Sequence, residues 1–431
     1  MSHPVAIVGS GFSGSMLAAR LAECGIASVR IDPSDRLGPA YATTFAGHLL
    51  NVRSGRMSAV EARPDDFLQW LEGQSPERAD PDGFAPRRDY AAYIRDRLVR
   101  VEADHPGLMS RIDGRVCAAG GDGVTLEDGR QVLARAVVLA TGNPPPGTAA
   151  AVALRVVPDP WVDRALDRIG LDDSLVIIGS GLTMVDVILS LLGRGWRGQA
   201  VALSRRGLLP RTHHARPDVG ARPTPGILQG PLSHRLRAAR AMAGHRGWRT
   251  MMEALRPLTA DLWAAASPQE RARFVRHLRP WWDVHRHRIA PSVGGIMTTL
   301  LADGRLSVIA GRAGRLVADD TGVRLDWTRR GMPCEPLSGD WLIDCSGPRH
   351  DPASDPLIAP LIAMGRARMD ALGLGLDLDP QGRVRGADGQ ADGRLYVLGP
   401  PARAAFWETI AVPDIRRRIE DIVAALASPA A

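Results

Sequence analysis

Short apolar runs that end in glycine turns recur along the chain, and they predict strands buried in parallel sheets. The first run is Val5–Val8, and a turn at residues 9–14 follows it directly. Residues 16–24 then have a helical pattern, and residues 27–31 form a second strand pattern that ends at Asp32. This order predicts a complete β-turn-α-β unit at the start of the chain.

The first turn reads Gly9-Ser10-Gly11-Phe12-Ser13-Gly14, which is the dinucleotide-binding spacing between a strand and a helix. Gly9 makes the tight turn, Gly11 lets backbone approach a pyrophosphate, and Gly14 lets the helix pack on the strand. The helix N-terminus then faces the negative phosphates. Asp32 follows at the distance where a carboxylate binds a ribose diol, so this unit predicts FAD or NAD and disfavours a 2′-phosphate.

A second unit of the same kind begins at Leu175–Ile178 and continues Gly179-Ser180-Gly181-Leu182-Thr183-Met184. Met184 replaces the third glycine, so we expect looser packing of helix on strand. The following strand pattern, residues 199–203, ends in Ser204-Arg205-Arg206 rather than in an acid. Two guanidiniums and a hydroxyl suit a ribose 2′-phosphate and predict NADPH, unless one arginine is only surface charge.

Three further strand patterns end in glycine turns. Residues 136–140 lead into Thr141-Gly142, residues 341–344 into Cys345-Ser346-Gly347, and residues 393–398 into Gly399. A helical pattern from Pro413 to Leu426 follows the last of them. These are either ordinary strand-to-loop turns or, given their order after two dinucleotide motifs, parts of the cofactor sites.

The predicted fold class is α/β, with two Rossmann-like dinucleotide-binding domains, the second inserted in the first. Residues 1–160 and 340–431 are predicted to form a discontinuous FAD-binding domain, and residues 170–339 an NAD(P)H-binding domain. An Arg-rich helical insertion is predicted at about residues 220–300, and a β-meander at residues 307–327.

The amino-acid composition excludes some kinds of active site. The 431 residues carry a net charge of +7, and all 54 basic residues are arginine, which excludes a phosphate-binding P-loop lysine and a pyridoxal Schiff base. The arginine excess has three readings: an anionic ligand, a nucleic-acid surface, or a solvated basic surface, which is favoured for most of them.

The four cysteines are far apart in the sequence, which argues against a metal knuckle and against disulfide reduction. No apolar run approaches the roughly 18 residues of a membrane span, and the first strand leaves no room for a signal peptide. We therefore expect a cytoplasmic protein without a metal, a membrane or a nucleic-acid partner. The oligomeric state is not predicted.

Several longer strings resemble a bacterial FAD/NAD(P)-binding protein family within the flavin-monooxygenase-like class of two-dinucleotide flavoproteins. They are Gly38-Pro39-Ala40-Tyr41, His48-Leu49-Leu50-Asn51-Val52, Met57-Ser58-Ala59, Gly181-Leu182-Thr183-Met184-Val185-Asp186, residues 204–211, residues 282–288 and residues 407–413. The resemblance implies FAD and NADPH as cofactors. By analogy, NADPH would reduce the flavin and O2 would form a C4a-(hydro)peroxyflavin that oxygenates a small molecule. The specific string of true flavin-containing and Baeyer–Villiger monooxygenases is absent, since Phe45-Ala46-Gly47-His48 does not satisfy it.

The resemblance also implies site residues. Asn51, Met57 and Ser58 would line the isoalloxazine pocket, with Asn51 also a candidate catalytic residue. Trp407, Glu408 and Thr409 precede a helix whose N–H groups would bind the flavin pyrimidine. His48 is either a flavin ligand or a structural histidine.

The segment at residues 281–288 is the least typical stretch. Asp283 and His287 are four residues apart and form either a catalytic acid–base pair or a surface salt pair. His285 and His287 would not share a helix face, so a two-histidine metal site is not expected. We expect this segment in the substrate pocket or its lid, and His213 and His214 near the NADPH phosphates or solvent.

These observations favour an NADPH-consuming flavin monooxygenase. The alternatives are a reductase that passes electrons to a protein or quinone, an RNA-associated flavoprotein, and a flavin-binding protein without turnover.

Overall fold

The computed structural model of the chain describes residues 3–34, 36–143, 154–218, 221–347 and 355–427. The strands in these ranges are β1 (Val5–Val8), β2 (Ser28–Asp32), β3 (Met109–Asp113), β4 (Val116–Gly120), β5 (Gly123–Leu126), β6 (Gln131–Leu133), β7 (Ala136–Leu139), β8 (Val156–Val157), β9 (Leu175–Ile178), β10 (Ala200–Ser204), β11 (Leu306–Ala310), β12 (Arg312–Ala318), β13 (Val323–Arg329), β14 (Met332–Pro333), β15 (Leu337–Gly339), β16 (Trp341–Asp344), β17 (Arg383–Arg385) and β18 (Ala391–Val397).

The α-helices in the same ranges are α1 (Phe12–Glu23), α2 (Asp66–Gln74), α3 (Arg87–Asp104), α4 (Leu182–Gly193), α5 (Pro225–Leu228), α6 (Leu232–Arg246), α7 (Trp248–Leu255), α8 (Thr259–Ala264), α9 (Pro268–His277), α10 (Arg279–Arg286), α11 (Pro291–Ala302), α12 (Ile358–Ala363), α13 (Arg403–Phe406) and α14 (Val412–Ala427).

The first sheet has the strand order β17-β18-β7-β1-β2-β3, with β18, β7, β1, β2 and β3 parallel. All four residues of β1 are buried, because α1, α3 and α14 cover one face of the sheet and α12 lies in the core on the other. This double cover explains why β1 and β7 read as continuous apolar runs rather than alternating patterns. The predicted strand at residues 5–8 is confirmed.

The second sheet has the order β11-β10-β9-β16-β8 and is parallel throughout. Its core includes residues of α4 and α11 on one face and of β13 on the other. The α/β fold class is confirmed: two parallel sheets each contain a strand, a glycine turn and a helix. Every strand of the second sheet lies between β7 and β18 in the chain.

The sheets divide the chain differently from the predicted domain bounds. β8 and β16 pair with each other in the second sheet, whereas the predicted bounds placed residues 156–157 and 341–344 with the first. β11 is also a parallel strand of the second sheet and not part of a meander, whereas β12 to β15 form an antiparallel sheet. The tertiary pairing decides this, because a short apolar strand has the same pattern in both settings.

Helices α5 to α10 form the insertion and have a small core of their own, which includes Ile227, Met242 and Leu255. The predicted insertion extended to about residue 300, but α11 packs in the core of the second sheet through Val293 and Met297. The insertion therefore ends near Arg286.

Candidate functional site

The first glycine loop contains two glycines that protein packing requires and one that it does not. Gly9 has φ +113°, and a Cβ there would lie 2.4 Å from the Ala140 carbonyl oxygen. A Cβ on Gly14 would lie 2.0 Å from the Gly9 oxygen. Gly11 has an ordinary extended backbone (φ −63°, ψ −177°) and no neighbouring atom closer than 3.8 Å to such a Cβ. The open space at Gly11, directly before α1, fits a pyrophosphate approaching the backbone.

Asp32 is held against this loop as the sequence predicts. It ends β2, and its carboxylate accepts hydrogen bonds from the backbone N–H of Ser10 at 2.7 Å and of Ser34 at 2.8 Å. The carboxylate is only partly buried, so lone pairs remain for a ribose diol. Position and orientation both fit the predicted role.

The other predicted residues of the first sheet converge on the same loop. β7 and β18 lie side by side, and Thr141 and Gly142 follow β7. Gly399 follows β18 with φ +81°, and a Cβ there would lie 2.6 Å from the Ser13 hydroxyl oxygen. The carboxyl ends of three parallel strands thus meet around the N-terminus of α1, where ligands bind in sheets of this kind.

The second glycine loop repeats this arrangement. Gly179 has φ +100°, and a Cβ there would lie 2.3 Å from the Cys345 carbonyl oxygen. Gly181, directly before α4, has φ −87° and no atom within 4 Å of a Cβ position. Here too the first glycine is required by packing and the second is open to a ligand, with Leu182 and Thr183 in the first turn of the helix.

The end of β10 carries the residues predicted to bind a 2′-phosphate. The Ser204 hydroxyl accepts from the Ser180 hydroxyl at 2.7 Å and from the Gly207 N–H at 3.0 Å, so it fixes the loop. Arg205 and Arg206 are exposed, and within the described ranges neither forms an ion pair. These two guanidiniums are available to an anionic ligand.

Several residues predicted to line the flavin have side chains enclosed by protein. Met57 and Ser58 are buried, and the Ser58 hydroxyl donates to the Arg63 and Val60 carbonyls. Asn51 is half-buried, and its backbone carbonyl oxygen accepts a hydrogen bond from His213 Nε2 at 3.1 Å. Of these three predicted residues, Asn51 has the most accessible side chain.

The segment Trp407, Glu408 and Thr409 is likewise buried, directly before α14. Trp407 has φ +60°, an uncommon conformation for a bulky residue. The Glu408 carboxylate accepts from Trp282 Nε1 at 2.9 Å and lies 3.5 Å from the Arg286 guanidinium. The Glu408 side chain therefore holds the insertion against the first domain.

The predicted pair of Asp283 and His287 does not form. α10 ends at Arg286, and His287 leaves the helical path after donating its backbone N–H to the Asp283 carbonyl at 2.8 Å. The Asp283 carboxylate instead lies 3.4 Å from Arg279 and 3.9 Å from Arg403. The (i, i+4) spacing predicts contact only where the helix continues through both residues, and here it stops.

A cluster of buried ion pairs lies around the C-terminal end of α10. Arg286 is buried between Glu408 and Asp414, and Arg288 is buried against Glu253 and Asp218. Burial acts to raise the pKa of Glu408, but Arg286, His287, the hydrogen bond from Trp282, and Arg256 together lower that pKa, so the carboxylate is charged.

Two predicted histidines lie beside this cluster and differ from each other. Burial, with Arg288, lowers the pKa of His213 to about 3, so its ring is neutral and packs against Phe84. His214 is exposed and bonded to Asp218 at 2.9 Å. Neither contacts the second glycine loop through a hydrogen bond within the described ranges.

The insertion lines an open cavity of about 460 Å³. α10 contributes Trp281, Trp282 and His285 to its wall, and Trp407 closes it from the first domain. Residues 281–288, predicted to lie in the substrate pocket or its lid, thus contribute three residues to the wall of a cavity, and its role as a substrate pocket stays a prediction. His285, not His287, lines the cavity; its Nδ1 donates to the Trp281 carbonyl at 2.7 Å.

A buried ion pair joins a helix of the first sheet to a helix of the second, and no sequence pattern predicted it. Arg87, at the start of α3, donates to both carboxylate oxygens of Asp186 in α4 at 2.8 and 3.1 Å. Beside it, His48 is buried between Thr43 and the Asp186 carbonyl, at 2.7 and 2.9 Å. His48 is thus a structural histidine. Arg87 and Asp186 are 99 positions apart in the chain, so no local sequence pattern could have predicted that they pair.

All four cysteines are free, and burial raises the pKa of Cys345, the one that is enclosed in the core. Within the described ranges, no three acidic, histidine or cysteine side chains are grouped as metal ligands would be. None of the helices in those ranges has the length and apolar character needed to cross a bilayer.

Comparison with known proteins places this geometry in context. Residues 6–144 match the sequence profile of the FAD-NAD(P)-binding family. No curated protein sequence matches the chain significantly.

Solved structures share the fold over nearly the whole chain. The ornithine N-hydroxylase of Kutzneria sp. 744, bound to reduced FAD, NADP+ and L-ornithine, is 17% identical, with a TM-score of 0.69 and 99% of each chain covered. The FAD-bound cadaverine monooxygenase of Erwinia amylovora is 13% identical, with a TM-score of 0.68 over 99% of this chain and 95% of that one. The reduced ornithine hydroxylase of Pseudomonas aeruginosa is 16% identical, with a TM-score of 0.62 and 99% of each covered. The chain thus carries an FAD–NAD(P)-binding domain at its N-terminus and has the two-dinucleotide-binding fold that these flavin-dependent hydroxylases share.

Proposed function

We propose that this protein is an FAD- and NADPH-dependent oxidoreductase that oxygenates a small molecule. One observation carries the proposal: two glycine loops, each at the end of a parallel strand, keep an open glycine whose presence protein packing does not explain. A glycine that neither strain nor crowding requires is accounted for by a ligand that must approach the backbone. The structurally similar hydroxylases were solved with FAD or NADP+, which supports the same pairing here.

Asp32 and the paired arginines assign the two cofactors. A carboxylate fixed at the first loop accepts hydrogen bonds from the ribose of FAD and repels a 2′-phosphate. Arg205 and Arg206 would bind the 2′-phosphate of NADPH at the second loop. When bound, FAD supplies the redox chemistry: it takes a hydride from NADPH and passes electrons to O2. The chain itself binds and orients both nucleotides and encloses the substrate in an apolar cavity.

The alternative of a reductase with a protein or quinone acceptor receives less support. The cavity of the insertion is of the size that binds a small molecule, which a reductase with an external acceptor does not need. An RNA-associated protein is also disfavoured, because buried arginines such as Arg87 and Arg288 are committed to carboxylates inside the protein.

Matched glycine substitutions test the cofactor assignment. Gly11→Ala should lower FAD retention because the new methyl occupies the pyrophosphate approach, yet it should leave the thermal unfolding temperature of the apoprotein unchanged. Gly181→Ala should keep FAD and raise the KM for NADPH. If both variants bind FAD and NADPH as the parent does, the loops are not the cofactor sites.

The arginines test NADPH against NADH. Charge-assisted hydrogen bonds are worth about 1.5–3 kcal/mol, so Arg205→Ser and Arg206→Ser should each raise the KM for NADPH by roughly 10- to 150-fold and leave that for NADH unchanged. Arg216, an exposed arginine outside this loop, provides the control Arg216→Ser.

Anaerobic flavin bleaching by NADPH, followed by admission of O2, distinguishes a monooxygenase from a reductase. Oxygenation requires substrate-stimulated NADPH consumption with oxygenated product, and a reductase would instead turn over artificial acceptors without O2.

A further inference from the structure

We propose that the cavity of the helical insertion is the substrate pocket, and that it takes an apolar, ring-bearing molecule with an anionic group. The claim that this ligand is oxidised rests on the proposed function, whereas the claim about its chemical class rests on the cavity alone. The cavity of about 460 Å³ lies within the range of small-molecule sites.

The wall of the cavity is apolar and rich in aromatic rings. Its aromatic residues come from four helices of the insertion and from the segment before α14: Trp248, Trp263, Phe274, Trp281, Trp282 and Trp407. Trp263 and Trp407 lie 4.7 Å apart between ring centroids, and Phe274 meets Trp407 edge-on at 5.1 Å. Rings fixed against each other in this way offer flat and edge surfaces that favour a planar apolar ligand.

The charges in this wall are predominantly positive. Arg235 donates to the Gly230 carbonyl and Arg271 to the carbonyls of Trp263 and Ala264, so both guanidiniums are held by neutral groups. Arg240 is exposed and forms no ion pair within the described ranges. The one acidic lining residue, Glu270, is engaged in the capping box of α9 with Ser267. An anionic ligand group is therefore attracted, and an ammonium group repelled.

This charge distinguishes the cavity from a site for a free amine. Cadaverine, named with one of the structurally similar enzymes, carries only ammonium groups, whereas ornithine, named with another, also carries a carboxylate. A wall with three guanidiniums and one carboxylate disfavours cadaverine but would attract the carboxylate of ornithine. The aromatic lining is what points away from both of these flexible aliphatic chains and toward a ring-bearing anion.

The cavity also adjoins the cofactor side of the fold. Trp407 is part of its wall, and Glu408 accepts a hydrogen bond from Trp282 at 2.9 Å. Along the chain, both residues lie between Gly399, where a Cβ would lie 2.6 Å from the Ser13 hydroxyl oxygen of α1, and the start of α14. The cavity wall is thus connected along the chain to the segment that follows β18 and begins at Gly399.

His285 supplies the polar group that would orient the ligand. Its Nδ1 donates to the Trp281 carbonyl, so in the neutral ring Nε2 is an acceptor. The ring is fixed edge-on to Trp248 at 4.7 Å. A ligand N–H or O–H that reaches Nε2 would be held by it.

A matched ligand pair tests the chemical class without turnover. 2-Naphthylacetate and 2-(2-naphthyl)ethylamine share a ring and differ in charge, and their binding to the oxidised FAD-loaded protein is measured by calorimetry without NADPH. We expect the carboxylate to bind at least tenfold more tightly than the amine. Equal binding, tighter binding of the amine, or no binding of the carboxylate at millimolar concentration would overturn the proposal.

Two pairs of variants localise the binding. Ala243→Trp fills the cavity and should abolish carboxylate binding, whereas Ala241→Trp, on the exposed face of the same helix, should not. Arg240→Met should reduce the preference for the carboxylate, and Arg237→Met, exposed and outside the wall, should keep it. Unchanged binding in Ala243→Trp would place the ligand elsewhere and refute the pocket.

NADPH is added last. If the carboxylate binds in the cavity but never stimulates NADPH consumption in an enzyme whose flavin NADPH does reduce, the pocket assignment stands and its role as a substrate site fails. If NADPH does not reduce the flavin at all, the proposed function fails independently of the cavity.

Discussion

The buried pair of Arg87 and Asp186 offers the sharpest test of how the two halves are held together. Asp186→Asn keeps the side-chain volume but removes the negative charge. Both partners are only 9% exposed, so the guanidinium left behind would be buried without a counter-charge. We expect the variant to unfold more easily than the parent protein.

The magnitude follows from the geometry. At an effective dielectric constant of about 20, two unit charges 2.8 Å apart attract by about 6 kcal/mol before desolvation is subtracted. Breaking a buried pair by removing one partner costs about 3–5 kcal/mol, because the other charge stays buried. For 431 residues the unfolding entropy scales to about 0.9 kcal/mol/K, so the melting temperature should fall by about 3–6 °C if the chain unfolds as one unit.

Calorimetry and guanidinium titration measure the effect, and two further variants provide the controls. Asp172→Asn breaks a pair whose side chains are 67% and 72% exposed, and it should cost about 1 kcal/mol or less. The double variant Arg87→Met with Asp186→Leu should recover most of the loss, because it leaves no buried charge. If Asp186→Asn costs no more than Asp172→Asn, the pair does not stabilise the fold and the reasoning is wrong.

Three further predictions concern single positions. Gly14→Ala places a methyl 2.0 Å from the Gly9 oxygen, so we expect poor folding and loss of FAD, seen as insoluble or colourless protein. Asp32→Ala leaves the Ser10 N–H without its carboxylate; FAD affinity should fall roughly 10- to 150-fold by flavin titration, from the 1.5–3 kcal/mol of such a bond, and an unchanged affinity would contradict the ribose assignment. Burial, with Arg288, lowers the pKa of His213 to about 3, below its ordinary 6.5. As the pH falls, the histidine is therefore protonated in the unfolded state before it is protonated in the folded state. Stability from this group is complete above pH 6.5 and falls as the pH drops toward 3, by at most about 1.4 kcal/mol per pH unit. His213→Gln should flatten this decline in urea titrations at pH 4.5–6.5, and parallel curves for variant and parent would refute it.

The local sequence determined the parts of the fold in which a glycine motif directly follows a strand. The apolar runs at residues 5–8 and 175–178 and the glycine spacing after them predicted both dinucleotide units, because each glycine is needed within a few residues of its neighbours. Asp32 and Arg205 were placed in the same way, at the end of the strand that follows each loop. Such short-range requirements leave a readable signal.

The helical insertion shows where that signal ends. The sequence indicated that residues 281–288 would contribute to a pocket, but it favoured Asp283 with His287 as the pair. α10 stops at Arg286, so His287 leaves the helix and does not pair with Asp283, while His285, inside the helix, lines the cavity. A helix end set by tertiary contacts cannot be read from a four-residue spacing.

The sequence by itself determined the α/β class, the two glycine loops and the charges that follow them, because these depend on neighbours a few residues away. Only the tertiary structure decided that β8, β11 and β16 join the second sheet, that Arg87 reaches Asp186, and that the insertion lines an apolar cavity with Trp407 in its wall. Each of these joins residues that are far apart in the chain. Burial and geometry, not local pattern, determine such contacts, since the same residues would satisfy their local preferences in many other folds.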